Sequence, residues 1–208
     1  MSTLHLVGTI HRDPAGYSAL QALLLLYQPR RITVEVSSYA IAYRQKYGPM
    51  LMEALAPFRR SDGTLPPGLE PVAAQIAIPF EYSAVRDYAE KNNVMVYPVG
   101  DSEISKTLLA TLEHEVLAPD NLSVLAGEGH PGLADLVQLE RERARRHFLQ
   151  GPPLDSADRE WLGAMDRFLA DAIHAHSGKQ TLVHVGGWEH LAGLSRELAR
   201  QAPVVELL

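Results

Sequence analysis

The chain has 208 residues, of which 46% are hydrophobic, and it carries a formal net charge of -6 at pH 7. This length allows a full hydrophobic core, while the acidic balance argues against a nucleic-acid surface, where a basic face supplies most of the affinity. Cysteine is absent, so disulfides and cysteine-ligated zinc are excluded, and any metal must be held by histidine and carboxylate side chains.

The first residues do not fit a signal peptide, because histidines, glycine and charged residues interrupt the apolar stretch. The apolar run at residues 20–27 is too short to span a bilayer. We therefore expect a soluble cytoplasmic protein without a membrane span. The expected partner is a peptide or a small molecule and not a nucleic acid, and a homo-oligomer stays open.

Aliphatic and β-branched runs predict five strands, and capping residues with helical apolar spacing predict seven helices. The predicted strands lie at residues 3–7, 31–36, 94–99, 181–186 and 204–207. The predicted helices lie at residues 14–27, 39–59, 81–92, 103–117, 133–149, 156–176 and 188–199. Asp13 is the predicted N-cap of the first helix, with Pro14 at its first position. The apolar run 72–78 fits either a helix or a strand.

Strands and helices alternate along the chain, and the first strand, helix and strand fit a βαβ unit with a parallel strand pair. We predict an α/β fold with a central, mostly parallel or mixed sheet of about five strands flanked by helices. Residues 1–208 are predicted to form one domain, with helical insertions at about 39–80 and 118–178. The proline- and glycine-rich runs 61–71 and 118–132 are predicted surface loops, with a role as lids as the alternative.

One pattern occurs near both ends of the chain. Residues 4–11 read Leu-His-Leu-Val-Gly-Thr-Ile-His, and residues 183–190 read Val-His-Val-Gly-Gly-Trp-Glu-His. A bare Gly-x-x-His is a weak signal, because this composition gives roughly 0.6 copies by chance, and a third copy lies in the glycine-rich run 127–130. The strand before the glycine and the histidine inside that strand distinguish the other two copies. They therefore predict an internal pseudo-repeat that delivers His11 and His190 just beyond two strands.

The active crevice of an α/β sheet lies at the carboxyl ends of its strands. Predicted strand ends carry acidic or imidazole side chains at His11, Glu35, Asp101, Glu189 and His190. Glu35 lies between two valines, where a buried carboxylate is costly unless it is paired or bound to a metal. Histidines and carboxylates from separate strands suit Zn, Mn, Co or Fe. We predict that two of these strand ends meet and form one metal-centred site.

Some of these residues have a second interpretation. Asp101 fits a helix N-cap as well as it fits a site. His5 and His184 lie inside the strands, where they fit either the core or a hydrogen bond that supports a metal ligand.

The two Gly-x-x-His motifs, at residues 8–11 and 187–190, resemble those of the TraB/PrgY/GumN/Tiki superfamily. Residues 32–36 around Glu35 are similar to that family's second-strand glutamate, and residues 81–101 to its middle segment. Residues 165–170, which include Arg167, are similar to the arginine-containing helix before the last motif. The resemblance spans almost the whole chain. It implies a fold related to those of erythromycin esterases and a haem-binding lipoprotein group.

The resemblance also implies a metal-dependent hydrolase, because Tiki members are proteases that use Mn or Co. In that interpretation a divalent metal ion, Mn, Co or Zn, is held by His11, His190 and Glu35. The general base would be one of the other acids, Glu81, Asp101 or Glu189. Arg167 would stabilise an oxyanion or pair with Glu35, with a surface salt bridge as the alternative.

Two other functions stay open on the sequence. One is a metal-independent, esterase-like hydrolase in which histidine and glutamate perform the acid-base steps. The other is a regulatory protein that sequesters a peptide or small molecule without catalysis.

Overall fold

A computed structural model describes residues 3–208, and its centre is a sheet of five strands. In chain order these are β1 (Leu4–Thr9), β2 (Arg31–Val34), β3 (Met95–Pro98), β4 (Leu182–Gly187) and β5 (Val204–Leu207). Their order across the sheet is β3-β2-β4-β1-β5, and each of these pairings is parallel. The predicted α/β class with about five strands is confirmed, and the parallel alternative is the correct one.

Nine α-helices lie in the described part of the chain. They are α1 (Gly16–Tyr27), α2 (Ser38–Glu53), α3 (Glu70–Ile76), α4 (Phe80–Asn92), α5 (Ser102–Thr111), α6 (Pro119–Leu125), α7 (Leu133–His147), α8 (Ser156–His176) and α9 (Leu191–Glu197). None of the helices in residues 3–208 combines the length and hydropathy needed to cross a membrane.

Two local predictions were wrong in detail, and one ambiguous run is resolved. Helix α1 begins later than predicted, because the Asp13 carboxylate accepts a hydrogen bond from the backbone N–H of Ala15 at 2.9 Å and closes a turn instead of capping the helix. The predicted irregular run 118–132 contains α6, which begins at Pro119, a residue suited to the first position of a helix. The ambiguous run 72–78 is mostly helical, within α3.

Helices cover both faces of the sheet, which explains why β1 and β4 are buried along their whole length. On one face α1 and α4 pack against Val7, Ile32 and Val185. On the other, α8 and α9 pack against Leu6 and Leu182. The sheet is therefore the middle layer of three.

A separate group of helices, α2, α3, α5 and α6, packs around its own apolar cluster, and we refer to it as the helical cap. Buried side chains such as Leu51, Leu69, Leu109 and Leu122 form this cluster. The cap draws on both ranges in which helical insertions are predicted. In the second range, however, α8 belongs to the sheet layers.

Strands β1 and β4 are neighbours, with Gly8 opposite Gly186. The connection after β1 leads to α1 on one face, and the connection after β4 leads to α9 on the opposite face. The chain therefore leaves the two strands in opposite directions, which opens a crevice at their carboxyl ends. Such switch points are the usual ligand sites of open α/β sheets.

Candidate functional site

A cavity of about 680 Å³ lies between the carboxyl edge of the sheet and the helical cap. His11, Glu35 and Glu81 line it from the sheet side. The cap side is mainly apolar and includes Ala40 and Leu108. A cavity of this size accommodates a drug-sized ligand.

His11 is oriented by a buried carboxylate. Its Nδ1 lies 2.7 Å from Oε1 of Glu81, and the hydroxyl of Thr9 donates to the same oxygen at 2.9 Å. Glu81 is buried, whereas the His11 side chain is 42% exposed and can be reached from the cavity. Burial acts to lower the pKa of His11, but the hydrogen bond and charge of Glu81 outweigh it and raise the pKa to about 9. His11 is thus held as an imidazolium ion beside Glu81.

His190 lies between two carboxylates. Its Nδ1 is 2.7 Å from Oδ1 of Asp166 on α8, and its Nε2 is 3.2 Å from Oε1 of Glu35. All but about a twentieth of the His190 and Asp166 side chains is buried. Burial acts to lower the pKa of His190, but the charge of Glu35 and the hydrogen bonds with Asp166 and Glu35 raise it to about 10.

Glu35 lies one residue beyond β2, where its backbone N–H still bonds to the carbonyl of Val185 at 2.8 Å. Its Oε2 accepts a hydrogen bond from the backbone N–H of Gly187 at 2.8 Å. Burial acts to raise the pKa of Glu35, but the charge and hydrogen bond of His190, together with His11 and Gly187, lower it to about 2. Glu35 is therefore ionised throughout the neutral range.

The carboxylate of Glu35 rests directly on Gly186. A Cβ at position 186 would lie 2.4 Å from Oε2 of Glu35 and 2.9 Å from Nε2 of His184. His184 hydrogen-bonds Thr33 through Nδ1 at 3.0 Å, while its Nε2 is buried and has no partner in residues 3–208. Burial lowers the pKa of His184 to about 4, so it is neutral. His184 therefore lies beside Glu35, and both side chains contact Gly186.

Helix α7 holds the two motifs together from outside. Ile10 and Trp188, one from each motif, pack in one apolar cluster with residues of α7. The indole of Trp188 donates to Glu140 at 2.7 Å, and Arg141 donates to Asp13 at 2.6 Å. Glu140 of α7 thus bonds to one motif, and Arg141 bonds to a residue close to the other.

The predicted site residues fall into two groups. The structure brings together His11, Glu35, Glu81 and His190. Glu189 lies next to them: its carboxylate folds over Gly187, and its charge helps to raise the pKa of both motif histidines.

The other predicted residues have different positions. Asp101 caps α5 by accepting hydrogen bonds from the backbone N–H groups of Glu103 and Ile104, which is the second of its two interpretations. Arg167 is exposed on α8 and forms no ion pair with an acid in residues 3–208, so the predicted pairing with Glu35 was wrong. His5 stacks on Tyr27 of α1 with ring centroids 3.8 Å apart and belongs to the core.

Asp166 contacts His190 but was not among the site residues predicted from the sequence, although it adjoins Arg167. It shares the buried side of α8 with Leu162, Leu169 and Ile173. These residues are spaced at i-4, i+3 and i+7 from Asp166, which places the acid on the apolar face of the helix. A carboxylate in an apolar helical stripe is the signal that identifies it, because burial there requires a partner.

Comparisons with models of protein families, with curated proteins and with solved structures gave no match. Within residues 3–208, no three histidine or carboxylate side chains are already arranged as a metal-ligand shell. Fold and site together define an α/β protein with two histidine–carboxylate pairs at a switch point of a parallel sheet.

Proposed function

We propose that this protein is a metal-dependent hydrolase acting on a peptide or ester bond in the cavity above β1, β2 and β4. One observation carries the proposal. Each motif histidine has a carboxylate on its Nδ1, Glu81 for His11 and Asp166 for His190, which directs Nε2 of both rings away from these anchors. Proteins commonly orient metal-binding histidines through such a hydrogen bond. The resemblance of the two motifs to the TraB/PrgY/GumN/Tiki superfamily supports the same function.

The donor atoms suit a divalent ion of borderline hardness, such as Mn, Co or Zn. His11 and His190 would hold it through Nε2 after releasing the ring protons that they carry in the metal-free protein, and Glu35 would hold it through a carboxylate oxygen. Glu35 is ionised and already lies 3.2 Å from Nε2 of His190. Oε2 of Glu81 and Nε2 of His184 are buried without hydrogen-bond partners in residues 3–208, so both atoms can still bond to a ligand or a water molecule. A bound metal ion of this kind supplies Lewis acidity for hydrolysis.

The protein's own groups divide the remaining work. Glu81 positions His11, because its carboxylate is buried and held by both His11 and Thr9. Asp166 positions His190 in the same way. The ionised side chain of Glu35 is 17% exposed, more than those of Glu81 and Asp166, so a water molecule or a substrate in the cavity can reach it.

A second candidate is a hydrolase that uses the same groups without metal. The supporting observation is the continuous chain of Asp166, His190 and Glu35, joined at 2.7 and 3.2 Å. Its histidine is protonated in the neutral range, because its pKa is raised to about 10. His190 is buried behind Glu35, so the imidazolium that can donate a proton to a leaving group in the cavity is His11, whose side chain is 42% exposed.

Metal content and hydrolysis, measured together, separate these functions. The protein is purified without chelator, and its Mn, Co and Zn content is measured by mass spectrometry for wild type, His11→Asn and His190→Asn. His114→Asn is the matched control, because His114 is an exposed histidine in the helical turn after α5 and does not line the cavity. We expect bound metal in wild type and control, and its loss from both site variants.

The same proteins are screened against peptides and esters before and after chelation. Hydrolysis that stops on chelation and returns with Mn, Co or Zn supports the metal-dependent enzyme. Hydrolysis that persists after exhaustive chelation favours the second candidate. Equal metal content in wild type and both site variants removes the metal site, and a lack of hydrolysis under every condition contradicts both candidates.

A further inference from the structure

Two guanidinium groups line the same cavity as the site. Arg12 comes from the turn after β1, and Arg44 comes from α2 in the helical cap. No carboxylate in the described residues forms an ion pair with either group. Arg44 is instead fixed by backbone carbonyls, donating from Nε to Gln75 at 3.1 Å and from Nη1 to Ala40 at 3.5 Å. Carbonyl groups hold its orientation without neutralising its charge.

The two positive charges also act on each other. Burial lowers the pKa of Arg44, and the charge of Arg12 lowers it further. Placing two cations at one cavity is unfavourable, because their charges repel and the charge of Glu81 on Arg12 is the only carboxylate effect on either of them in residues 3–208. The arrangement becomes favourable when an anion binds between them, since guanidinium groups match the geometry of carboxylate and phosphate.

The backbone at Arg12 is consistent with such a role. Its φ is 67°, in the left-handed region that residues with a side chain rarely adopt. Backbone strain of this kind concentrates at ligand and active sites. The strained turn places the Arg12 guanidinium one residue after His11, at the same cavity.

The rest of the wall facing His11 is mostly apolar, with Gln75, Ser105 and Thr111 as polar exceptions. Its lining includes Ile78, Phe80, Leu108, Leu112 and Val116. These side chains suit a hydrocarbon group and give no hydrogen bonds to a polar one. The cavity thus presents an apolar wall, a cationic pair and the histidine–carboxylate site together.

We infer that the substrate is an amphiphilic anion, whose carboxylate or phosphate group binds Arg12 and Arg44 while its apolar portion lies against the helical cap. This inference rests on the proposed function for the bond that is cleaved, at His11 and Glu35. It adds the substrate class: the molecule carries an anionic group on one side of that bond and an apolar group that fills the cavity.

The binding half of the inference is tested without turnover. Octanoate, octyl phosphate and octan-1-ol are titrated into the full chain by calorimetry in the presence of chelator. We expect both anions to bind at least tenfold more tightly than the alcohol, because charge-assisted hydrogen bonds distinguish them. Comparison of the two anions then identifies carboxylate or phosphate as the preferred group.

Variants assign the preference to the two arginines. Arg12→Gln and Arg44→Gln should each weaken anion binding by about tenfold or more and leave octan-1-ol binding unchanged. Arg44→Lys should retain part of the preference, and Arg146→Gln, on the exposed side of α7, should change neither. Unchanged alcohol binding also shows that the apolar wall of each variant is folded.

The inference is overturned if octan-1-ol binds as tightly as the anions, if no probe binds, or if the Arg12 and Arg44 variants keep the wild-type preference. These outcomes are distinct from failure of the proposed function. Arginine-dependent anion binding without any hydrolysis supports the inference and contradicts the enzyme. Hydrolysis of anionic and neutral esters at the same rate, in wild type and in Arg12→Gln, contradicts the inference and leaves the enzyme intact.

Discussion

Gly193 of α9 lies directly against Asp166 of α8, and its replacement by alanine measures how tightly the His190 site is packed. A Cβ at position 193 would lie 1.7 Å from Oδ2 and 2.3 Å from Cγ of Asp166. Asp166 cannot simply rotate away, because its Oδ1 is bonded to Nδ1 of His190 at 2.7 Å. Alanine must therefore either separate the two helices or break that hydrogen bond.

Both responses lower the free energy of unfolding. Overpacking a core costs about 1–3 kcal/mol, and loss of a buried hydrogen bond to a charged group adds about 1–3 kcal/mol. The higher helix propensity of alanine relative to glycine offsets roughly 0.5–1 kcal/mol of this loss. Either response alone, less this offset, should lower the stability by up to about 2.5 kcal/mol, and the two together by about 1–5 kcal/mol.

Gly163 of α8 provides the matched control, because a Cβ there would meet only the end of the Arg167 side chain at 3.6 Å. Gly163→Ala should stabilise the protein by about 0.5–1 kcal/mol through helix propensity alone. Urea denaturation followed by circular dichroism measures both changes. The reasoning is refuted if Gly193→Ala is as stable as Gly163→Ala, or if Asp166→Ala and Gly193→Ala are additive in the double variant, since removing Asp166 removes the clash.

Three further predictions concern the hydrophobic core, the contact of α7 with the first motif, and the hydrogen bond between Tyr27 and Glu206. Leu169→Ala, at a fully buried contact between α8 and the sheet, should destabilise by about 2–5 kcal/mol in the same urea assay, and a change below 1 kcal/mol would contradict its core position. Arg141→Gln leaves the buried Asp13 carboxylate without its cation and should lower the free energy of unfolding by about 1–3 kcal/mol in the urea assay. In 1 M salt this difference should become smaller, because salt weakens the ion pair that only the wild type has. Burial and the hydrogen bond to Glu206 raise the pKa of Tyr27 to about 12, so its stabilising contribution is complete below pH 10 and is lost as the pH rises from 10 to 12. Thermal denaturation across that range should show this loss in wild type and not in Tyr27→Phe; parallel curves would refute it.

The sequence predicts those features of the site that depend on local signals. The aliphatic run before Gly8, and its counterpart before Gly187, specify strands that end just before the two motif histidines. Parallel pairing of β1 and β4 then brings His11 and His190 to one edge, which follows from the rule that crevices form at carboxyl strand ends. The α/β class predicts only the common edge, whereas the adjacency of β1 and β4 is a long-range pairing that the structure supplies.

Other features depend on packing between distant elements. Asp166 contacts His190 only because α8 and α9 share one face of the sheet, which no spacing in the sequence specifies. Asp101 and Arg167 carry local signals that fit a cap or a surface residue as well as a site, and the packing decides between them. Helices α2 and α5 of the helical cap were predicted, at 39–59 and 103–117, whereas α6 was not, because it owes its place to Leu122 packing against distant helices.

The position of β1 in the sheet bears on how the protein folds. Both neighbours of β1, the strands β4 and β5, come from the last part of the chain, and the Thr9 side chain bonds to a carbonyl 177 residues away. During synthesis β1 therefore emerges well before both of its neighbours and stays unpaired until they have been made. Contacts of such sequence separation slow folding, because the connecting loop must close before they form. Strand β1 is thus among the last of the five strands to be paired, and the two motif histidines come together only after β4 has been made.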